Sequence, residues 1–284
     1  MPENSAQELE LKSIQYRRKV LSIIKAANAG HTGGSLSAVD ILNVLYNSAM
    51  NVTPNNIQEV NRDHYIQSKG HSVEALYVVL ADKGFYPESE LDTLNQYQSH
   101  FIGHPTRRVN GVEQNTGALG HGLPIAVGMA LAGKKDGRDY RVFTLLGDGE
   151  LEEGSNWEAS MSASFYELDN LVVIVDYNKL QITGPVEEVT GVDNLRQKFE
   201  AFGYAVREVD GNCVPDLVAL FDQVPFEAGK PNLILAHTTK GKGISFIEDQ
   251  VGWHHHVPTD DEYVIAMNEL DFAEKEWWRR NGSR

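Results

Sequence analysis

A single cysteine, Cys213, stands in the sequence, so no disulfide can form within the chain. It reads as a buried apolar filler and not as a reactive thiol. Long hydrophobic runs are also missing: no stretch of about 18 apolar residues offers to span a bilayer. The opening residues, MPENSAQELELK, lack the apolar core of a signal peptide and the acid-poor bias of a transit peptide, so a cytoplasmic protein without a membrane segment is expected. Positive charge is scarce. Lys and Arg number 25 against 40 Asp and Glu, a formal net charge of −15 with a pI near 5.1. That balance excludes broad binding to nucleic-acid backbones, which needs a cationic surface. A phosphorylated small molecule needs only a few local cations and stays open. Repeats, low-complexity segments and linker-like Pro/Gly/Ser stretches are absent, so residues 1–284 are expected to form one domain. At 41% hydrophobic, the chain has ample material for a core.

What is present is an alternation. Apolar positions at helical spacing predict a helix over 6–28 and a second from near Ser35, burying Leu36, Val39, Leu42 and Leu45. HYIQS (64–68) reads as a strand, followed by the helix SVEALYVVLADKG. A small-residue helix runs through PIAVGMALAGK. RVFTLL (141–146) and LVVIVD (171–176) are apolar, β-branched strands on either side of the helix NWEASMSASFYEL. Helix 193–202, strand 205–209, helix 214–223, strand 232–236 and a helical tail from 260 complete the pattern. Such alternation predicts an α/β fold: a buried parallel sheet with helices on both faces. His71, Asp148, Asn178 and Lys240 each follow a predicted strand. In a parallel sheet those positions share the carboxyl edge, where ligands bind.

The strongest chemical signal is Gly147-Asp148-Gly149 with Asn178 following 30 positions after Asp148, beyond one helix and one strand. On neighbouring strands the two side chains would face the same space. Carboxylate and amide oxygens suit Mg²⁺ or Ca²⁺, which are usually held by few protein groups plus phosphates. The glycines admit a diphosphate to the backbone, and the next helix offers free N–H groups. A turn and a strand end are the plain alternative. A dinucleotide site fits worse, because GDGELEEG is not GxGxxG and carries three carboxylates. Of the ten histidines, four adjoin glycine: His31, His71, His104 and His121. Loop histidines are often only solvated, but several on one rim could donate to hydroxyl, carbonyl or phosphate groups. Zinc is the competing reading, without any compact HxxxH or CxxC spacing to support it.

LLGDGELEEGSNWEA together with LVVIVDYNKLQITG resembles the thiamine-diphosphate motif of the transketolase family. The likeness runs from AANAGHTGGSLS to WHHHVP, nearly the whole chain. It implies the thiamine-diphosphate-binding fold and transfer of a two-carbon ketol unit from a ketose phosphate to an aldose phosphate. By resemblance, the metal ligands fall on Asp148, Asn178 and the Leu180 carbonyl, with Asp176 supporting them. His31 and His104 match substrate contacts, His71 a diphosphate contact, and His254 a contact of both kinds. His255 stands where the family usually has glycine, so the His254 assignment could slip by one residue. His121 replaces a common glutamine. Thr116, Gly117 and Leu119 match the loop that meets the cofactor's rings, and Lys240 a residue of the diphosphate pocket. A solvated loop lysine is the alternative there. Glu153 matches an acid linking paired active sites, whereas Glu150 and Glu152 are expected to be solvated.

The same resemblance implies something missing. Thiamine chemistry needs a glutamate facing the aminopyrimidine, which transketolases carry in a second α/β domain further along the fused chain. This sequence stops at Arg284 before any such domain, so it is either a fragment of a fused chain or one subunit of a split enzyme; its ending looks like a natural helical terminus. A split enzyme is therefore expected: two copies of this chain with two of a C-terminal partner subunit. Two alternatives remain within reach of the sequence. One is an α subunit of a 2-oxo acid dehydrogenase or a deoxyxylulose-phosphate-synthase-like protein, which the histidines disfavour. The other is a non-catalytic cofactor-binding regulator, which the Asp148/Asn178 pair disfavours.

Overall fold

The computed structural model describes residues 5–191 and 194–282. Among these residues five strands form one parallel sheet: β1 (His64–Gln67), β2 (Val142–Gly147), β3 (Leu171–Tyr177), β4 (Ala205–Asp210) and β5 (Asn232–His237), in the order β1-β2-β3-β5-β4. The helices among the described residues are α1 (Ala6–Ala27), α2 (Thr32–Val44), α3 (Val73–Asp82), α4 (Gly122–Lys135), α5 (Gly154–Phe165), the short α6 (Val186–Val189), α7 (Leu195–Ala201), α8 (Val214–Phe221) and α9 (Asp260–Asn281).

Strand periodicity builds two cores from one sheet. In β2, Phe143 and Leu145 face one core while Val142 and Leu146 face the other; in β3, Val172 and Ile174 oppose Val173 and Val175. The first core is closed by α1, α2, α3, α8 and α9, the second by α4, α5 and α7. This burial on both faces explains why β2 and β3 are apolar without alternation. Edge strand β4 does alternate, and its Glu208 pairs with Arg196 and His237 in solvent.

Helix ends follow local chemistry. Ser5 and Glu8 form a capping box on α1, and Thr259 and Glu262 form one on α9. Asn28 in the left-handed conformation (φ 50°) ends α1 and turns the chain into the His31 loop. Helix α2 begins at Thr32, ahead of the expected Ser35. A buried carboxylate, Glu74, accepts from the His31 N–H (3.3 Å) and the Ser35 hydroxyl (2.7 Å) and so supports an earlier start. Helix α7 begins at Leu195; residue 193, the expected start, lies outside the described residues. Cys213 corrects its expectation: it is half-buried at the entry to α8, not packed in a core. Trp277 packs inward while Trp278 is half-exposed.

The registers align the strand ends. Gln67 pairs with Leu145, Gly147 with Asp176, and Asp176 with Ala236. The loops after β1, β2, β3 and β5 therefore leave the sheet from one rim, side by side. Among the described residues, no helix is long and apolar enough to cross a membrane.

Candidate functional site

A cavity of about 270 Å³ opens on that rim. Gly34 at the start of α2 lines it, with Lys69 and His71 after β1, Gly117 and Leu119 before α4, and Gly147–Glu150 after β2. The β3 loop adds Asn178 and Leu180–Ile182; Lys240 and His254 close the far side. Other clefts are as large, such as one of about 330 Å³ between α1 and α3. Its Lys19 and Asp82 are already paired with Glu88 and Lys12, and no rim loop reaches it.

The centre of the rim cavity is polar and buried. Asp148 accepts from the backbone N–H groups of Gly149 (2.8 Å) and Lys179. Burial, with the Asp176 carboxylate nearby, pushes its carboxyl up to about 7. The Asn178 amide donates to Asp176 (3.3 Å) and its oxygen accepts from the Leu180 N–H (3.1 Å). The Leu180 carbonyl accepts from the Lys240 ammonium at 3.1 Å. An ammonium thus stands at one oxygen, and a carboxylate short of compensating charge lies in the same cavity. A divalent cation fits this donor set of one carboxylate, one amide and one carbonyl. Among the described residues, no cluster of three His, Cys, Asp or Glu side chains could hold a metal. The cavity's fit to a cation therefore depends on its amide and carbonyl oxygens.

Beside this set the wall suits a diphosphate. A Cβ built on Gly147 would come no nearer than 3.9 Å to any side chain, so the backbone there is open to a ligand. Gly149 differs, because the Gln181 side chain occupies that side at 2.7 Å. At Gly117 (φ 136°) a Cβ would lie 2.7 Å from the His104 ring, so only glycine lets these two loops meet. The Thr116 hydroxyl donates to the Gln67 carbonyl (2.7 Å), tying the same loop to β1; Thr116 itself does not line the cavity.

Lys240 is not a solvated loop lysine. It is buried, and its ammonium bridges the Leu180 carbonyl and His254 Nδ1 (2.9 Å). A donating ammonium makes Nδ1 the acceptor and leaves the His254 proton on Nε2. Burial, with Lys69 close by, lowers Lys240 to about 8. Glu150 overturns its expectation too. The turn after β2 points it inward, where it accepts from the Ser68 hydroxyl, Gly120 N–H (2.9 Å) and Gly147 N–H (3.0 Å). Three donors compensate its burial. Glu152 and Glu153 are exposed, and Glu153 lies against Gly120.

Five histidines gather above the cavity. His31 is the hub, with ring centroids 5.2 Å from His71, 5.7 Å from His254, 6.2 Å from His104 and 4.6 Å from His255. His71 stacks on His254 at 5.1 Å. Burial lowers His31 to about 4 and His254 to about 3, and takes His71 well below its usual value. At neutral pH His31, His71 and His254 are uncharged, each able both to donate and to accept. His31 Nδ1 is buried with no protein partner. His121, exposed beside Leu119, is outside the group.

Sequence reasoning missed Lys69, Glu74 and Gln181. Lys69 follows β1, so the same strand-end rule that found His71 could have found it. Glu74 carried no signal beyond its position in an apolar helix.

A parallel sheet with helices on both faces and a polar cavity at its carboxyl rim is the fold of thiamine-diphosphate-binding domains. The family model described as transketolase, thiamine diphosphate binding domain, matches residues 10–277, and the chain belongs to that family. An apulose-4-phosphate transketolase subunit of Phocaeicola vulgatus is 47% identical, over 92% of this chain and 93% of its own length. The 6-deoxy-6-sulfo-D-fructose transketolase subunit SqwG of a Clostridium species is 39% identical, over 93% and 96%. Human transketolase is 40% identical, but this chain spans only 39% of it. Among solved structures, a transketolase from Pichia stipitis superposes with a TM-score of 0.86 at 27% identity, over 96% of this chain and 44% of that one.

Proposed function

We propose that this chain is the N-terminal, cofactor-binding subunit of a split transketolase. As one cytoplasmic domain it works with a C-terminal partner subunit in an α2β2 assembly. The observation that carries the reading is the single cavity in which Asp148, Asn178 and the Leu180 carbonyl adjoin a cluster of uncharged histidines. Thiamine diphosphate, when bound, supplies the two-carbon carrier that side chains lack. Asp148, Asn178 and Leu180 would hold Mg²⁺ or Ca²⁺. Gly147, His71, Lys240 and His254 would hold the diphosphate, Gly149 would shape the turn beside it, and Gly117 and Leu119 would meet the rings on the loop that Thr116 ties to β1. His31, His104 and His254 would hydrogen-bond the sugar's hydroxyl and carbonyl oxygens and move protons there. Exposed Glu153 is free to face a neighbouring active site.

The acids lining the cavity are Asp148 and Glu150, and both are engaged by backbone donors. In this reading the carboxylate for the aminopyrimidine is supplied by the partner subunit. Two relatives named as apulose-4-phosphate transketolase subunits match over 93% and 97% of their own lengths, which supports a separately made subunit. The substrates are ketose and aldose phosphates or close analogues, as in the pentose phosphate pathway. The relatives' names favour branched or sulfonated sugars as a second possibility.

The test is a titration of the partner into this chain at fixed thiamine diphosphate and Mg²⁺, following ketol transfer from xylulose 5-phosphate. Activity should be absent at first and saturate near one-to-one, with cofactor affinity by calorimetry rising in parallel. Turnover by this chain unaided overturns the split-subunit reading.

A further inference from the structure

The loop after Trp253 is pinned at both ends. Trp253 packs against Phe246, and the His256 carbonyl accepts from the Thr32 hydroxyl at 2.5 Å. Between those anchors, His254 turns into the cofactor cavity and accepts from Lys240. His255 turns the other way. It does not line the cavity, its side chain is exposed, and its ring lies edge-on to His31 at 4.6 Å, the shortest ring separation in the cluster.

Within this histidine cluster, His31 Nδ1 is a buried polar atom without a protein partner, so it is an atom a ligand would satisfy. Of the four rings around His31, His71 and His254 belong to the cavity wall, whereas His104 and His255 are exposed. The approach from solvent therefore passes His104 and His255. Of those two, His255 takes more of the space, at 4.6 Å from His31 against 6.2 Å for His104.

We propose that His255 is a specificity-determining residue. Its imidazole walls the outer channel over His31, limits the width available to a branched sugar and offers a ring nitrogen to a hydroxyl. This rests on the ketol-transfer reading above. An extra carbon at a tight wall is worth about 10- to 200-fold in discrimination, and His255→Gly removes the whole ring.

The test uses the full complex of this chain, its partner, thiamine diphosphate and Mg²⁺, as wild type, His255→Gly and His255→Asn. D-xylulose 5-phosphate is the linear donor probe and apulose 4-phosphate the branched one. In His255→Gly the linear-to-branched ratio of kcat/KM should fall at least about fivefold. His255→Asn, smaller but still hydrogen-bonding, should fall between glycine and wild type. Cofactor affinity should stay within about twofold of wild type, since His255 does not line that cavity. An unchanged ratio, an equal loss on both sugars, or a loss of cofactor affinity overturns the proposal. A wild-type complex that transfers from neither sugar sinks the transferase reading instead. The wall is then decided by imidazole ¹⁵N shifts on adding xylulose 5-phosphate: His31 and His255 should move together, and a motionless His255 refutes it.

Discussion

The Lys69 ammonium and the Asp176 carboxylate form an ion pair with both side chains buried, in the layer supporting Asn178. Burial would raise Asp176, but Lys69 with the Ser37 and Thr238 hydroxyls outweighs it and holds the carboxyl below its usual range. Lys69 also donates to the Gly34 carbonyl (3.2 Å), so one ammonium ties β3, the β1 loop and the start of α2 together.

Lys69→Met should therefore strand a buried carboxylate and destabilise the chain by about 3–5 kcal/mol. Lys69→Met/Asp176→Asn, which removes the stranded charge but keeps only one of the two acceptor oxygens used by Ser37 and Thr238, should recover part of that loss. Denaturant titration of both variants measures it. A single variant as stable as wild type would show that the pair contributes nothing.

Asp148→Ala and Asn178→Ala should each weaken Mg²⁺-dependent thiamine diphosphate binding by at least about a hundredfold, the upper range for disturbing even the groups behind a metal's ligands. Both residues stand on rim loops, outside the two apolar cores, so the fold should survive. Calorimetry on the complex with partner, alongside far-ultraviolet circular dichroism, separates the two effects. Wild-type-like affinity in either variant rejects the metal assignment.

The sheet was legible because β2 and β3 are apolar on both faces and helical periods separate them. The rim was legible because polar motifs follow four of the strands. What the sequence hid was side-chain direction within those loops. Glu150 and Glu152 are alike as letters. Only the inward turn after β2, with Ser68, Gly120 and Gly147 waiting as donors, decides that one is buried and the other solvated. His254 and His255 are alike in the same way, until the pinned loop sends one to Lys240 and the other over His31. Long-range partners such as Glu74 for His31 leave no local trace.

Glu74 gives a pH prediction. Burial raises its carboxyl to about 7 from the ordinary 4.5, against the pull of its hydrogen bonds. Between those values the folded chain keeps a proton that the unfolded chain releases. Stability therefore falls as pH rises through that window, and the penalty is complete above about 7. Glu74→Gln is neutral throughout and can still accept from the His31 N–H. The thermal midpoint of the variant, relative to wild type, should climb from pH 4.5 to 7.5. Parallel curves across that range would show that Glu74 does not titrate there.

The histidines separate sugar chemistry from cofactor binding. His31 and His104 lie outside the cofactor cavity, whereas His254 lines it, stacks on His71 and accepts from Lys240. His31→Ala and His104→Ala should lower kcat/KM for the ketose phosphate by about 10²–10⁴-fold, the span for loss of a positioned proton-transfer group. Thiamine diphosphate affinity should barely change in either. His254→Ala should lower both quantities, because Lys240 loses a partner and His71 its stacking neighbour. The pH profile adds a second reading. His31 titrates near 4 and His254 near 3, so both stay neutral across pH 6–8 and neither should impose an acid limb on kcat/KM there. Steady-state kinetics on the reconstituted complex, with cofactor affinity measured in the same preparations, provides the check. Unchanged kcat and KM in all three variants would contradict the substrate role. An acid limb near pH 6.5 that vanishes in His31→Ala would show that His31 works as a titrating base and not as a neutral hydrogen-bonding group.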